Sequence, residues 1–291
     1  MPITKIPYVD VSWNITAGCT KCSPGCLNCW AEKWAHRLGC MGQPFYDTVQ
    51  DEGRWNGIIE LNKFILDKPF DWKNPRRIFV CSMSDLFHPE VPFDYIDKVM
   101  FTIYKSYKMG HTFLILTKRA KCMLKYFSGN VDGRILELFR LTDSQYTSEH
   151  RLTNSVNMLP RVQLGVSISN QEEMWKAKEL SRIPAAVRWI SFEPLLEDVR
   201  EIPLTSLRED DTDLEEFGQH IDWVVVGCES LGQKAGRFQD GFIEAARSLV
   251  GQCQAANVPV YIKQVPINGK VSRNMAEWPK DLRVQQLAKK R

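Results

Sequence analysis

Short apolar runs punctuate this chain, each followed by a polar or small stretch and then by a helical pattern. The runs are Val9–Trp13, Arg77–Ser82, Thr112–Thr117, Gln163–Ile168, Arg188–Phe192, Trp223–Gly227 and Val258–Ile262. They are apolar on both faces, which suits parallel strands covered by helices. Helical spacing of apolar positions predicts helices over Leu27–Leu38, Asp94–Tyr107, Lys118–Phe127, Gln171–Leu180 and Gly241–Ala256. Alternation of strand and helix predicts an α/β fold, either an open sheet or a parallel (βα) barrel. Seven strands are enough for a complete or partly open barrel, with right-handed connections.

Two stretches break the rhythm. Residues 141–159 are polar and irregular and read as an insertion. Residues 201–219 contain the acidic run REDDTDLEEFG and read as a solvated connection. From about residue 266 the chain reads as a C-terminal extension. The expected organisation is a single domain over residues 1–291, a length that one barrel often uses.

In such folds functional groups gather just past the carboxyl ends of the strands. The chain places polar residues there repeatedly. The second run leads into SMSDLFHP, with Ser82, Ser84 and Asp85. The third leads into Lys118 and Arg119, and the fourth into Ser167, Ser169 and Asn170. Glu193 follows the fifth, Glu229 and Ser230 follow the sixth, and Lys263 follows the seventh. Asp85 also reads as a helix N-cap. Asn170, with Glu173 three residues on, reads as a capping box. Exposed surface is the competing reading for Lys118 and Arg119.

Composition narrows the class. The chain is 44% hydrophobic and 25% charged, with a formal net charge of +3. That weak basicity is compatible with nucleic acid without demanding it. The longest apolar runs are strand-sized, so no membrane span is expected. The N-terminal MPITKIPYVDVSWN lacks the apolar stretch of a signal peptide, and a cytoplasmic location is expected. In a reducing compartment the nine cysteines read as metal ligands or buried hydrophobes. Cys40, Cys81, Cys122, Cys228 and Cys253 are scattered and read as buried small hydrophobes. His88 reads as a packed or capping histidine, and Trp13, Trp189 and Trp223 as core.

The other four cysteines, Cys19, Cys22, Cys26 and Cys29, fall within eleven residues in the run GCTKCSPGCLNCWAEKW. Their spacing, C-x2-C-x3-C-x2-C, admits three readings. All four thiolates can hold a structural zinc, although a zinc ribbon usually separates its two knuckles further. Four ligands can also hold an electron-transfer cluster, although common ferredoxin spacings differ. Three thiolates on a four-iron cluster would leave one iron open for chemistry. Gly18 and Gly25 would let the loop turn.

The third reading resembles the radical S-adenosylmethionine superfamily, whose signature C-x3-C-x2-C follows the first strand of a (βα) barrel. The resemblance extends over nearly the whole chain. WNITAGCTKCSPGCLNCWAE, FVCSMSDLFHP, FLILTKR, LGVSISN, RWISFEPLL, WVVVGCES and VPVYIKQ resemble the successive blocks of a phage-encoded three-cysteine-motif branch of that superfamily. The branch pattern, C-x6-C-x2-C, falls on Cys19, Cys26 and Cys29. The general pattern falls on Cys22, Cys26 and Cys29. The third ligand is therefore Cys19 or Cys22.

The resemblance implies a four-iron four-sulfur (4Fe–4S) cluster and S-adenosylmethionine as cofactors. Their chemistry would release a 5′-deoxyadenosyl radical that abstracts a substrate hydrogen. Some members of the branch resemble isomerases of thymidine hypermodification, which convert a nitrogen-linked glycyl thymidine to its carbon-linked form. The implied partners are DNA containing modified thymidine and a reductant protein, in the host cytoplasm. Other radical reactions on nucleic acid or nucleotides, repair or methylation, are the enzymatic alternative. A zinc-stabilised nucleic-acid-binding protein is the non-catalytic one.

By the same resemblance, Ser82, Ser84 and Asp85 stand where the methionyl amine is held. Lys118 and Arg119 suit the cofactor carboxylate or a nucleic-acid phosphate. Ser167, Ser169 and Asn170 suit the ribose hydroxyls or carboxylate. Glu193, Glu229 and Lys263 are the expected catalytic or substrate-positioning groups. Trp30 suits the cluster or adenine, or simple core packing.

Overall fold

The structure, a computed structural model, describes residues 4–142, 161–204 and 220–288. Seven parallel strands form in chain order: β1 (Val11–Trp13), β2 (Arg77–Val80), β3 (Thr112–Thr117), β4 (Val162–Ser167), β5 (Val187–Phe192), β6 (Trp223–Gly227) and β7 (Val260–Ile267). Each pairs with its sequence neighbour, so the strand order is the chain order. The helices are α1 (Trp30–Cys40), α2 (Phe93–Ser106), α3 (Ala120–Phe127), α4 (Val131–Thr142), α5 (Trp175–Ser181) and α6 (Phe242–Ala255).

The apolar runs become strands because both their faces are covered. Every residue of β4, β5 and β6 is buried. In α2, Tyr95, Ile96, Val99, Met100 and Ile103 recur at helical spacing and make the buried stripe. Boundaries shift where backbone conformation intervenes. Cys81 adopts a left-handed φ of 56°, which ends β2 at Val80, two residues before the expected end at Ser82. Such a conformation costs on the order of 1–2 kcal/mol at a non-glycine residue. α1 starts at Trp30 rather than Leu27, because the chain leaves the 3-10 turn over Pro24–Cys26 through a turn to Cys29, whose ψ of 118° is non-helical.

The sheet curls. Seven flat strands would separate β1 from β7 by six intervals of about 4.8 Å, roughly 29 Å. Yet Tyr8, three residues before β1, packs edge-on against Trp223 of β6 and Tyr261 of β7, with ring centroids 5.2 and 5.4 Å away. Phe79, Leu114, Trp189 and Val225 join this cluster. A larger apolar core carries the helix-facing side, including Trp13. Among the described residues hydrogen bonding does not close the sheet: β1 remains an edge, and β7 pairs instead with an antiparallel strand, Lys270–Ser272. Two further short strands, Lys234–Ala235 and Ser230–Leu231, extend that side.

Thus β7 runs past residue 266, and the expected C-terminal extension begins inside the sheet. Of the two expected insertions, 143–159 and 205–219 lie outside the described residues; residues 141 and 142 complete α4. Cys81, Cys228 and Cys253 are buried as expected. Cys40 is exposed and Cys122 half-buried, contrary to expectation, because their helices turn those positions outward. Among the described residues no helix is long and apolar enough to cross a membrane.

Candidate functional site

One cavity opens at the carboxyl ends of the strands. Its lining takes Cys19, Cys26 and Cys29 from the loop after β1, Ser82, Ser84 and Asp85 from beyond β2, and Lys118 and Arg119 from beyond β3. Ser167 ends β4, Glu193 follows β5, Glu229 follows β6, and Lys263 projects from β7 itself. Every strand of the parallel series therefore contributes a polar group. Ser169 and Asn170 stand outside this lining.

The cysteine loop is built around its one 3-10 turn. Ser23 caps it, its hydroxyl accepting from the Gly25 amide at 3.2 Å. Cys26 is buried, and its thiol is held below the ordinary cysteine value. The main cause is a hydrogen bond donated by the Cys22 thiol; the Lys118 charge and the Cys22 and Ser23 amides assist, against burial. Cys19 moves the other way, to about 11, because burial and the Asp85 charge outweigh the nearby Arg119. Cys22 is exposed and lies outside the cavity lining.

Thiolate is the reactive form of cysteine, so a lowered pKa carries reactivity to lower pH. In the metal-free, reduced protein, Cys26 should react with a small alkylating agent at a rate that is already flat by pH 8 and falls only at lower pH. Mass spectrometry of the modified peptide measures this. A rate that is still climbing through pH 8 would show that Cys26 is an ordinary thiol.

Gly25 fits the loop against the strand ends. A Cβ there would come within 2.3 Å of Ser169 Oγ and 3.1 Å of Pro194 Cδ. Gly25→Ala should therefore displace Cys26 and cost about 1–3 kcal/mol, the usual range for overpacking. Urea unfolding checks it, and a change within about 0.5 kcal/mol would mean that the loop is not held against this wall.

Two arginine–carboxylate pairs hold the loop from opposite sides. Arg119 and Asp85 form a buried ion pair at 3.0 Å. From it, the Arg119 guanidinium donates to the Thr20 carbonyl and hydroxyl, both at 2.8 Å, and reaches Cys19 Sγ at 3.6 Å. His88 joins at the same Thr20 hydroxyl, with Nε2 2.8 Å away. Its Nδ1 accepts from the Glu90 amide, so Nε2 carries the proton. On the other side Arg237 grips Glu229 through Nε and Nη2 and donates to the Pro24 carbonyl at 3.0 Å. Burial alone would raise the Glu229 carboxyl. The Arg237 side chain and amide, with the Asn28 side chain, outweigh it and hold the group below the ordinary carboxylate range.

These contacts define what the expected site residues do. Asp85 neither caps a helix, since α2 starts at Phe93, nor keeps a free oxygen. Besides Arg119 it accepts from the Thr117 hydroxyl and the Phe87 and Lys118 amides. Glu229 is likewise spent on Arg237. Ser82 donates to Asn14 Oδ1 at 3.1 Å, and Ser84 lies 2.6 Å from the Thr16 hydroxyl. Lys118 donates to Ser167 Oγ at 2.8 Å. Asn170 stands at the N-cap position without a side-chain cap bond, and Glu173 accepts instead from the Ser169 amide at 2.8 Å. Trp30 is half exposed while lining the cavity, so it is not core. Arg237 was missed from sequence: its only cue is that it follows Glu229 by eight residues, across a two-strand turn.

Three thiols facing one cavity are a soft donor set, suited to iron–sulfur clusters and to zinc. Among the described residues, no three His, Cys, Asp or Glu side chains are drawn together as they would be around a single ion.

The chain matches no curated protein and no solved structure. The family described as "Protein of unknown function (DUF5131)" matches residues 3–289. That span takes in the cysteine loop, all seven parallel strands and both arginine pairs, and the protein belongs to this DUF5131 family.

Proposed function

We propose that this protein is a radical S-adenosylmethionine enzyme on a partly open parallel (βα) barrel. Its proposed reaction is isomerisation of a nitrogen-linked glycyl thymidine to the carbon-linked form in phage DNA. The observation that carries the reading is the shared cavity: Cys19, Cys26 and Cys29 face polar groups from all the later strand ends. Three cysteines in that lining, rather than four, suit a cluster with one open iron more than a fully ligated structural zinc. When bound, the cluster and S-adenosylmethionine would supply a 5′-deoxyadenosyl radical for hydrogen abstraction from the glycyl Cα.

The chain's own residues bind and position. Cys19, Cys26 and Cys29 would hold the cluster, and Arg119 and Arg237 fix the backbone that presents them. Asp85 and Glu229 act through those arginines as positioning residues. Lys118, beside Cys26, offers a cation to the cofactor carboxylate, with Ser167 orienting it. Trp30 offers a ring face at the cavity edge for adenine or a base. Glu193 and Lys263 face the substrate. A reductant protein and DNA are the partners, in the host cytoplasm.

Anaerobic purification tests this. The expected protein is brown, holds about four irons and four sulfides per chain, and cleaves S-adenosylmethionine when reduced. With modified DNA, nucleoside mass spectrometry should show a product of changed retention and unchanged mass. A colourless protein holding stoichiometric zinc, with no cofactor cleavage after cluster reconstitution, would establish the zinc-stabilised alternative instead.

A further inference from the structure

Glu193 and Lys263 form an ion pair inside the cavity, Oε1 to Nζ at 2.9 Å, with side chains 15% and 21% exposed. The two ends of the pair are held differently. The other Glu193 oxygen, Oε2, accepts from the Tyr8 hydroxyl at 3.3 Å and the Ser191 hydroxyl at 3.2 Å. Gly227 leaves room for Oε1, since a Cβ there would stand 2.7 Å from it. The carboxylate is thus fixed to the wall. Lys263 reaches it on a flexible four-carbon stem that can swing away without disturbing the wall.

We infer that Glu193 and Lys263 form a subsite for an α-amino-acid zwitterion, here the glycyl substituent of the base, taking its ammonium on Glu193 and its carboxylate on Lys263. This rests on the site being one for amino-acid-modified thymine. The charge arithmetic favours such a ligand. A ligand carrying only an ammonium would claim Glu193 and leave Lys263 half-buried without its partner. A ligand carrying only a carboxylate would strand Glu193. Stranding one member of a shielded pair is costly. A zwitterion opens the pair and satisfies both members. Substrate and product of the proposed isomerisation each carry one amine and one carboxylate, so the same two residues serve both.

The test is equilibrium binding to anaerobically prepared full-length protein, read by calorimetry. N-Benzylglycine carries an aryl methylene, an amine and a carboxylate; benzylamine and phenylacetate each carry one charge. N-Benzylglycine should bind at least about tenfold more tightly than either, a difference of about 1.4 kcal/mol. Lys263→Met should shift the preference to benzylamine and Glu193→Gln to phenylacetate, while Lys263→Arg keeps the preference for the zwitterion. Thermal melts of each variant separate lost binding from lost folding. Equal affinity for the three probes in the unaltered protein overturns the inference. Displacement of N-benzylglycine by free methionine but not by glycine at the same concentration would reassign the pair to the methionyl end of the cofactor and also overturn it. Because binding needs no turnover, the two readings fail separately. Cofactor cleavage without zwitterion preference removes only the subsite, and zwitterion preference in a colourless zinc protein removes only the radical chemistry.

Discussion

Replacing Arg119 by methionine will destabilise the protein by about 3–5 kcal/mol, the range for removing one partner of a buried ion pair. Asp85 would keep its bonds from Thr117, Phe87 and Lys118 but lose its only countercharge among the described contacts. The Thr20 carbonyl would lose its donor, and Cys19 its neighbour at 3.6 Å. Urea unfolding measures the stability, and limited proteolysis between residues 19 and 29 measures the loop. The double variant Arg119→Met, Asp85→Asn separates the two effects. Removing both charges should return part of the stability, since a buried pair is often worth little net. The loop should stay open to protease, because Thr20 is still without its donor. A loss under about 1 kcal/mol in the single variant would refute the buried pair.

Cys19→Ala, Cys26→Ala and Cys29→Ala will each lose most bound iron, whereas Cys22→Ala will keep it. Spacing alone leaves Cys19 and Cys22 equivalent, since each completes a known pattern with Cys26 and Cys29. Tertiary placement favours Cys19, which lines the cavity beside Arg119; Cys22, although its thiol reaches Cys26, is exposed and outside the lining. Iron and sulfide analysis after anaerobic reconstitution checks this, with circular dichroism to confirm folding. Iron loss in Cys22→Ala together with retention in Cys19→Ala would reverse the assignment. Cys22→Ala should also raise the Cys26 pKa, because it removes the strongest bond to that sulfur.

The secondary structure was legible because burial on both faces leaves a plain trace. A run such as TFLILT has no polar face to present, and β3 forms over those residues. Trp223–Gly227 was equally legible for the same reason. Boundaries were less so. The end of β2 is set by a left-handed residue, Cys81, that no local rule would place there. α4 was missed although Val131, Ile135, Leu138 and Phe139 recur at helical spacing, and Val131, Ile135 and Phe139 put one face on the core; Gly133 and the intervening charged residues obscured the pattern.

The candidate site was legible as a set of positions and not as a set of roles. Strand ends bring chemistry to one rim, and Ser82, Lys118, Ser167, Glu193 and Lys263 line the cavity there. Asp85 and Glu229 read as available acids because their partners are invisible in one dimension. Arg119 lies 34 residues from Asp85, and Arg237 meets the Pro24 carbonyl across 213 residues. Ser169 and Asn170 stand one and two residues past Ile168, and the strand pleat and the turn into α5 carry them off the rim.

The sequence by itself determined the parallel strand–helix alternation and the clustering of four thiols after the first strand. Both are local facts: continuous apolar runs demand two-sided burial, and cysteines ten residues apart at most cannot be far apart in space. Only the tertiary structure decided which carboxylates are spent and which remain. That choice depends on what else the cation beside each acid holds. Arg119 on Asp85 and Arg237 on Glu229 also bind the backbone of the cysteine loop, so those acids became its anchors. Glu193 is paired instead with Lys263, a movable lysine inside the cavity.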